Sequence, residues 1–277
     1  MLWSVDGDTL EIQGKEKEMK KEELSKYEII YSDSIEFMGF TLYRIRALKD
    51  FSNVNSGDLG GYICDYENLS QYGDAWVSCN AWVYGDALVS GDARVSGNAR
   101  VSGDARVYDD AWVYGDALVS GDARVSGDAL VSGNAWVSCN AWVSGDARVY
   151  DDAWVSGNAL VSGNARVSGN AWVYGNALVS GNAWVYGDAR VYGDALVSGD
   201  AKVYGQISII TILDIGRERG CLTMHLDSKI GVRVTRGCFT GTIEEFLSAV
   251  EKTHGDNMYG KIYRTAIEMA KIQFEID

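Results

Sequence analysis

A six-residue phrase that repeats without a slip through the middle of the chain limits what the sequence can fold into. From Asp74 to Tyr204 the sequence reads Asp/Asn-Ala-x-Val-Ser/Tyr-Gly, and alanine returns at every sixth position from 75 to 201, 22 times in all. A fixed short period is typical of solenoids, in which each repeat packs against its neighbours. The hexapeptide period predicts a mainly β fold, a left-handed parallel β-helix with three hexads per triangular coil and about seven regular coils.

Alternation within each hexad explains how such a coil is filled. Alanine and valine point to one side of the strand, while x and Ser/Tyr point to the other. Small alanine and β-branched valine can fill a narrow interior, and glycine and Asp/Asn suit the corners because they accept tight turns. The chain has 32 glycines and no proline, and a proline would remove a ladder donor from its coil. The composition therefore predicts a rigid rod.

Large side chains at the x position form rows on the outside of the predicted rod, because residues 18 apart stack on successive coils. Eight of the nine tryptophans occupy x positions and are expected to point outward. Trp136, Trp154 and Trp172 share one row, which is either a ladder that stabilises neighbouring coils or a surface that a partner covers. A flat row on another face is the candidate for self-association. It consists of Trp142, Leu160, Leu178 and Leu196.

Acidic residues stack at one corner of the predicted coil before Asn164 and Asn182 take their place. They are Asp74, Asp92, Asp110, Asp128 and Asp146. These residues either serve only the turn, where Asp and Asn are favoured, or form an acidic ridge that imitates a row of phosphates. Any imitation of phosphates is limited to this corner, because the repeat region as a whole has a net charge of only −7. It contains 15 Asp residues against 8 Arg and Lys residues. Duplex DNA of the rod's predicted length, ~35 Å, carries roughly 20 charges.

Composition shifts divide the chain into four segments. Residues 1–50 form a β-rich N-terminal module, with strand-like stretches at 4–12 and 28–46 and a helix or loop at 15–26. Residues 51–73 form a degenerate capping coil, in which Ile63 and Leu69 take the alanine positions. Residues 74–206 form the hexapeptide β-helix, and residues 207–277 form an α+β C-terminal module.

The C-terminal module has its own sequence signals. Ile207 and Ile209 are expected to continue the inward register of the rod, and residues 222–226 and 230–234 alternate as a hairpin. Thr242 is expected to begin a helix, because glutamate follows at capping-box distance. A second helix is expected at 258–274, burying Tyr259, Tyr263 and two alanines.

Histidine-based chemistry is poorly supported. Acyl transfer on a β-helix needs a histidine base and zinc needs several ligands, but the chain has only His225 and His254, both outside the repeat. His225 alternates on the polar side of the hairpin, which predicts a surface position. The five cysteines have no metal-ligand spacing. We therefore expect a non-enzymatic protein without a metal or other cofactor.

Charge and hydropathy restrict the partners. The net charge of −14 disfavours direct binding to nucleic acid or to anionic membranes and favours a protein partner with a basic surface. The first residues lack an export signal, and no apolar run has the ~20 residues of a membrane span. These features predict a cytoplasmic protein.

Two stretches carry a resemblance to known families. Residues 50–77, with Gly60-Gly61-Tyr62 and Gly73-Asp74-Ala75-Trp76-Val77, resemble bacterial hexapeptide-repeat proteins, among them acyltransferases and polymer-forming cytoskeletal proteins. Residues 237–246 and 254–257 look like a tail module of proteins from phages and prophages of Gram-positive bacteria. The resemblance implies a β-helix in the cytoplasm of a bacterial host.

Three functions remain open from the sequence. The leading hypothesis is a phage-encoded interaction protein whose rod and end module bind and inhibit a host macromolecule, such as a nucleic-acid-handling defence effector. The second is a structural protein that self-assembles through a rod face or through the C-terminal module. The third, which the resemblance implies, is a degenerate hexapeptide acyltransferase.

Overall fold

Three parallel sheets run along the hexapeptide region in the computed structural model, which describes residues 25–205 and 207–276. Each hexad contributes a strand of two or three residues, because only x and valine are extended before the chain turns. Every strand pairs with the strand one coil later, as Trp136 pairs with Trp154 and Val137 with Val155. The parallel β-helix is confirmed, and with the capping coil it has about eight turns.

The strands fall into two antiparallel groups at the ends and 22 short parallel strands between them. In chain order they are β1 (Tyr27–Phe37), β2 (Phe40–Ala47), β3 (Leu59–Ile63), β4 (Trp76–Val77), β5 (Trp82–Val83), β6 (Leu88–Val89), β7 (Arg94–Val95), β8 (Arg100–Val101), β9 (Arg106–Val107), β10 (Trp112–Val113), β11 (Leu118–Val119), β12 (Arg124–Val125), β13 (Leu130–Val131), β14 (Trp136–Val137), β15 (Trp142–Val143), β16 (Arg148–Val149), β17 (Trp154–Val155), β18 (Leu160–Val161), β19 (Arg166–Val167), β20 (Trp172–Val173), β21 (Leu178–Val179), β22 (Trp184–Tyr186), β23 (Arg190–Val191), β24 (Leu196–Val197), β25 (Lys202–Tyr204), β26 (Ile209–Ile215), β27 (Gly220–Asp227), β28 (Gly231–Arg236) and β29 (Phe239–Gly241). A 3₁₀ turn covers Tyr66–Asn68, and the helices are α1 (Ile243–His254) and α2 (Met258–Phe274).

The interior of the rod consists of the alanine and valine of every hexad. All 22 alanines from 75 to 201 and all 22 valines from 77 to 203 are fully buried, as the alternation predicts. The backbone of each coil is bonded to the next. Trp136 N–H donates to the Ala153 carbonyl at 2.9 Å, and Ser138 N–H to the Val155 carbonyl at 2.9 Å. Each buried valine contributes about 1.5 kcal/mol of hydrophobic free energy, so stability accumulates coil by coil.

The corners need glycine for two reasons, which Gly97 illustrates. Its φ is +71°, and a Cβ there would lie 2.9 Å from the backbone nitrogen of Gly115 in the next coil. Four hexads nevertheless place another residue in this left-handed conformation. They are Cys79, Asp109, Cys139 and Asp151. Such residues cost about 1 kcal/mol each relative to glycine.

The N-terminal end of the rod is closed by a hairpin. Strands β1 and β2 pair antiparallel, β2 pairs with β3, and β3 joins the rod in parallel with β5. Buried Lys26 donates from Nζ to the Ala75 carbonyl at 2.7 Å, and the Tyr27 hydroxyl donates to the Leu69 carbonyl at 2.6 Å. Burial lowers the pKa of Lys26 to about 8. These side chains satisfy carbonyls that the first coil would otherwise leave open.

Two expectations about this end are wrong. Ile63 pairs with Val83, and Leu69 bridges to Val89, so both occupy valine positions instead of alanine positions. The separation of 20 residues where the regular coil has 18 arises between Leu69 and Val77. These are eight residues apart, with bends at 71–74, where successive valines of the repeat are six apart. Trp76 does not point into solvent, because Tyr27 and Phe51 cover its ring. The segments expected at 4–12 and most of 15–26 lie outside the described residues.

The C-terminal module consists of a four-stranded antiparallel sheet, β26 to β29 in order, and two helices. The hairpin of β27 and β28 is confirmed, and so is the capping box of Thr242 and Glu245 at the start of α1. Helix α2 has the expected bounds, and it buries Tyr263 but leaves Tyr259 half-buried. Ile209 is buried, whereas Ile207 is 72% exposed, so the inward register ends with the rod.

Neither helix in the described part of the chain is both long and apolar enough to cross a lipid bilayer.

Candidate functional site

The outside of the rod has three faces, which are separated by corners and identified by their stacked x residues. The first face carries Trp76, Arg94, Trp112, Leu130, Arg148, Arg166, Trp184 and Lys202. The second face carries Trp82, Arg100, Leu118, Trp136, Trp154, Trp172 and Arg190. The third face carries Leu88, Arg106, Arg124, Trp142, Leu160, Leu178 and Leu196.

The tryptophan row, Trp136, Trp154 and Trp172 on the second face, forms an ordered ladder. The rings of Trp136 and Trp154 stack with centroids 4.9 Å apart and an angle of 3° between planes, and Trp172 meets Trp154 edge-on at 4.9 Å. Arg190 continues the row, with its guanidinium 5.1 Å from the Trp172 ring. The Trp154 indole N–H also donates to the Ser138 hydroxyl of the preceding coil at 3.3 Å. These contacts support the interpretation that the row stabilises neighbouring coils.

Asparagine side chains bond successive coils at the corners. At the corner between the second and third faces, the Asn158 amide donates to Asn176 at 3.0 Å, and the Asn176 amide donates to Asp194 at 2.9 Å. At the corner between the first and second faces, Asn98 donates to Asp116 and Asn134 to Asp152. An amide can donate to the side chain above it, whereas two ionised carboxylates can only repel. This explains why Asn and Asp share one position of the hexad.

The acidic row has no such amide between its members. It consists of Asp74, Asp92, Asp110, Asp128 and Asp146, and it lies at the corner between the third and first faces. The last four are exposed, and Asp74 is half-exposed. The Asp74 backbone N–H donates to the Asp92 carboxylate at 3.0 Å. The amide pattern resumes one coil later, where Asn164 donates to Asn182. The expected stack of five carboxylates is therefore present as an exposed edge of the rod.

Arginines border the acidic row on both sides. Arg106 and Arg124 are register partners on the third face, and Arg148 and Arg166 are register partners on the first. All four are exposed, and within residues 25–205 and 207–276 none is joined to a carboxylate by an ion pair. The edge therefore presents negative charge at its crest and positive charge on its flanks.

The two candidate partner surfaces lie on opposite sides of the rod. The acidic row occupies the corner between the third and first faces, and in a three-sided coil that corner is opposite the second face, which carries the tryptophan row. A single flat partner therefore cannot cover both rows.

The leucine row, Trp142, Leu160, Leu178 and Leu196, lies on the third face as expected. The Trp142 side chain is 40% exposed, and its indole N–H donates to the Ser126 hydroxyl at 3.1 Å. The leucines stack in register and are half-buried by their neighbours along the row. Their mutual packing already removes part of the apolar surface that a self-association face would bury.

The C-terminal sheet contacts the last coil of the rod with polar side chains, a contact that the sequence pattern does not predict. The Thr223 hydroxyl accepts from Leu196 N–H at 3.2 Å, and the Thr235 hydroxyl donates to the Leu196 carbonyl at 3.3 Å. Asp227 bridges to Ala201, and the Ser228 hydroxyl donates to the Asp200 carbonyl. The sheet thus satisfies backbone groups that the end of the rod would leave unpaired.

His225 lies within this contact and is fully buried, so the expected surface position is wrong. Burial lowers its pKa to about 4, and its Nε2 has no hydrogen-bond partner among residues 25–205 and 207–276. Asp227 and Arg233 are adjacent, joined by an ion pair of 2.9 Å. Burial raises the pKa of Asp227, but hydrogen bonds from Lys229 and Arg233 outweigh it and leave the pKa below its usual range. His225 is a neutral packing residue at neutral pH.

The described residues bring together no group of three or more His, Cys, Asp or Glu side chains that could hold a metal ion. His225 is in the C-terminal sheet and His254 ends α1, so neither contributes to the surface of the rod. A groove of about 510 Å³ lies between the N-terminal cap and the first face, with Leu59, Arg94 and Trp112 in its lining. Arg94 is held there by a hydrogen bond to Ser52 of 2.6 Å.

The hexapeptide region matches the family model of the YdcK beta solenoid repeat. The matched segments are 81–97, 93–109, 99–115, 123–138, 141–157, 153–169, 159–174, 171–187 and 189–205. They cover less than half of the chain and stay within the rod. The sequence matches no curated protein. The match and the three parallel sheets agree that this is a β-solenoid repeat protein.

Proposed function

We propose that this chain is a non-enzymatic interaction protein, a stiff β-helical rod that presents its acidic row to a protein partner with a basic surface. The observation that carries the proposal is the contrast between the corners. At the corner of the acidic row, five aspartates follow one another from Asp74 to Asp146. The corner between the second and third faces has a shorter run of three, after which amides such as Asn158 bond successive coils. Because asparagine at these positions would add hydrogen bonds and remove repulsion, the aspartates oppose local stability. Departures of this kind from local rules are typical of functional sites.

Charge supports the same partner. The chain carries −14 overall, which attracts a basic protein from a distance and speeds encounter. At the acidic row, carboxylates recur about every 4.8 Å along the rod. The repeating backbone of one nucleic-acid strand offers a phosphate about every 3.4 Å. The two spacings differ, so what the row shares with a nucleic-acid strand is a regular series of negative charges. The narrower form of the proposal is that the partner is a nucleic-acid-handling defence effector of a bacterial host, and the chain its phage-encoded inhibitor.

A matched pair of variants tests the proposal. Asp92→Asn, Asp110→Asn and Asp128→Asn together remove three charges from the acidic row. The control removes three equivalent exposed charges from the next corner, by Asp86→Asn, Asp104→Asn and Asp122→Asn. Each tagged variant is used to recover basic proteins from bacterial lysate at physiological salt. We expect the acidic-row variant to lose its partner and the control to keep it. Equal loss by both variants, or recovery of no basic protein by the unmodified chain, would refute the proposal.

Structural assembly is a second candidate function, and the ends of the rod constrain it. The hairpin at one end and the C-terminal sheet at the other cover the open strand edges, so coils of two molecules cannot stack end to end. Assembly would have to use the sides of the rod or the outer surface of the C-terminal module. Electron microscopy of the purified protein distinguishes filaments from single rods.

A further inference from the structure

Helix α2 is apolar on two opposite sides. One side packs against α1 and the C-terminal sheet and buries Tyr263, Ala266, Ile267 and Ala270. The other side, the α2 stripe, carries large apolar side chains in solvent. These are Met258, Ile262, Met269 and Ile272, with exposed fractions of 63%, 38%, 46% and 80%. Large apolar side chains that line up on the exposed side of a helix are typical of a contact surface, so the stripe is a candidate for burial by a partner.

The spacing of the stripe identifies the kind of cover. With exposed Thr265 included, its residues follow one another at intervals of four, three, four and three, which is the spacing of a coiled-coil seam. A globular surface rarely matches such a narrow straight seam, whereas another helix does. The stripe is therefore suited to a single antiparallel or parallel helix.

We propose that the α2 stripe binds the α2 stripe of a second copy, in antiparallel orientation, and makes the protein a dimer. An antiparallel pair centred on Thr265 places Met258 against Ile272 of the second copy and Ile262 against Met269. The same arrangement sets Lys261 beside Glu268 of the second copy, twice across the two-fold axis. Within the described residues, Lys261 is exposed and has no ion pair, while Glu268 is exposed and makes a 3.8 Å ion pair to Lys271 of its own helix.

The charges favour the antiparallel arrangement over the parallel one. In a parallel pair, Lys261 would face the opposite edge of the seam, where Ala266 and Gln273 are uncharged. Only the antiparallel pair gives the lysine an acidic partner. One 17-residue helix per copy is about 25 Å long and buries less than a standard interface. We therefore expect a reversible dimer with micromolar affinity.

Analytical ultracentrifugation of the full chain across micromolar concentrations tests this proposal. We expect the mass to rise from monomer to dimer, and Met269→Glu with Ile272→Glu to leave a monomer at every concentration. Met38→Glu is the matched control, because Met38 is 82% exposed at the opposite end of the rod, and it should still dimerise. Circular dichroism confirms that each variant is folded.

Charge exchange tests the orientation. Lys261→Glu should weaken the dimer at least tenfold, and adding Glu268→Lys should restore it. A monomeric unmodified chain, a dimer that survives the stripe variant, or failure of the double exchange to restore affinity would overturn the proposal. The acidic-row variant, which keeps the α2 stripe, should dimerise like the unmodified chain. Dimerisation through the stripe and binding of a basic partner by the acidic row can therefore fail independently of each other.

Discussion

Trp136 and Trp154 lie face to face on successive coils, with ring centroids 4.9 Å apart and planes within 3° of parallel. Trp154 also contacts Trp172 and bonds Ser138, so it is the centre of the ladder. Trp154→Ala should lower the free energy of unfolding by about 2 kcal/mol, because it removes two ring contacts and a hydrogen bond. Trp112→Ala is the control, since Trp112 is 47% exposed and its ring contact is to Arg94. Chemical denaturation should show the smaller loss for Trp112→Ala, and equal losses would contradict a ladder.

Backbone crowding at the corners predicts a large effect from a small substitution. Gly97→Ala places a methyl group 2.9 Å from the next coil, whereas Gly205 has a similar positive φ and open space around it. Gly97→Ala should therefore cost about 2 kcal/mol and Gly205→Ala about 1 kcal/mol, the cost of the backbone conformation alone. Denaturation midpoints measure the difference. Indistinguishable midpoints would show that the coils can separate at no cost.

At the corners that lack glycine, the reverse substitution, to glycine, should stabilise the rod. Cys139 has a φ of 59°, and Cys139→Gly should raise stability by about 1 kcal/mol. Asp151 has a φ of 61°, but its carboxylate accepts from Gly169 N–H at 3.3 Å. Asp151→Gly should therefore gain less, since the substitution removes that bond. Thermal unfolding of both variants gives the order, and a greater gain for Asp151→Gly would be inconsistent with this account.

The corner amides predict that Asn158→Asp destabilises the rod. The new carboxylate would still accept a hydrogen bond from the Asn140 amide. It could not donate to Asn176, so the hydrogen bond between residues 158 and 176 would be lost. A cost of about 1 kcal/mol is expected above the pKa of the new aspartate. Asp128→Asn in the acidic row should have the opposite sign. Urea titration of the two single variants at neutral pH measures both effects, and a stabilising Asn158→Asp would disprove the role of the amides.

His225 predicts a loss of stability in acid. Its pKa falls from 6.5 in the unfolded chain to about 4 in the fold. Above pH 6.5 it is neutral in both states, but between pH 6.5 and 4 the unfolded chain binds a proton that the folded chain excludes. Stability should fall by about 3 kcal/mol across this window as pH decreases. The difference between the unfolding profiles of the native chain and His225→Gln isolates the effect from the carboxylates. Parallel profiles would show that His225 does not titrate as described.

Much of the rod could be predicted because one hexad specifies both its interior and its corner. Ala-x-Val assigns the buried side of each strand, and the 18-residue coil assigns the stacked neighbours. The capping coil escaped prediction because two extra residues lie between Leu69 and Val77, in bends that have no counterpart in the repeat, so Ile63 and Leu69 moved to valine positions. The alternation of apolar and polar residues within one strand does not reveal extra residues elsewhere in the coil, and these residues set its register against the next coil.

The candidate site was predicted less completely than the fold. Period 18 correctly places Asp92 over Asp110 and Trp136 over Trp154, but the bonds that corner amides such as Asn158 make to the next coil depend on side-chain distances. His225 was misplaced for a different reason. Alternation shows which residues share a side of β27, but it cannot show that the polar side would be covered by the end of the rod. There, unpaired backbone groups need polar partners such as Thr223.

The 18-residue coil also determines how the molecule could change length. Adding three hexads would lengthen the rod by ~4.8 Å and preserve the relative orientation of its two ends. Adding one hexad would instead turn the C-terminal module by a third of a revolution, so that the α2 stripe would emerge over a different face. The length of the rod and the relative orientation of its two ends are therefore coupled, and only the addition or removal of whole coils changes the length without changing the orientation.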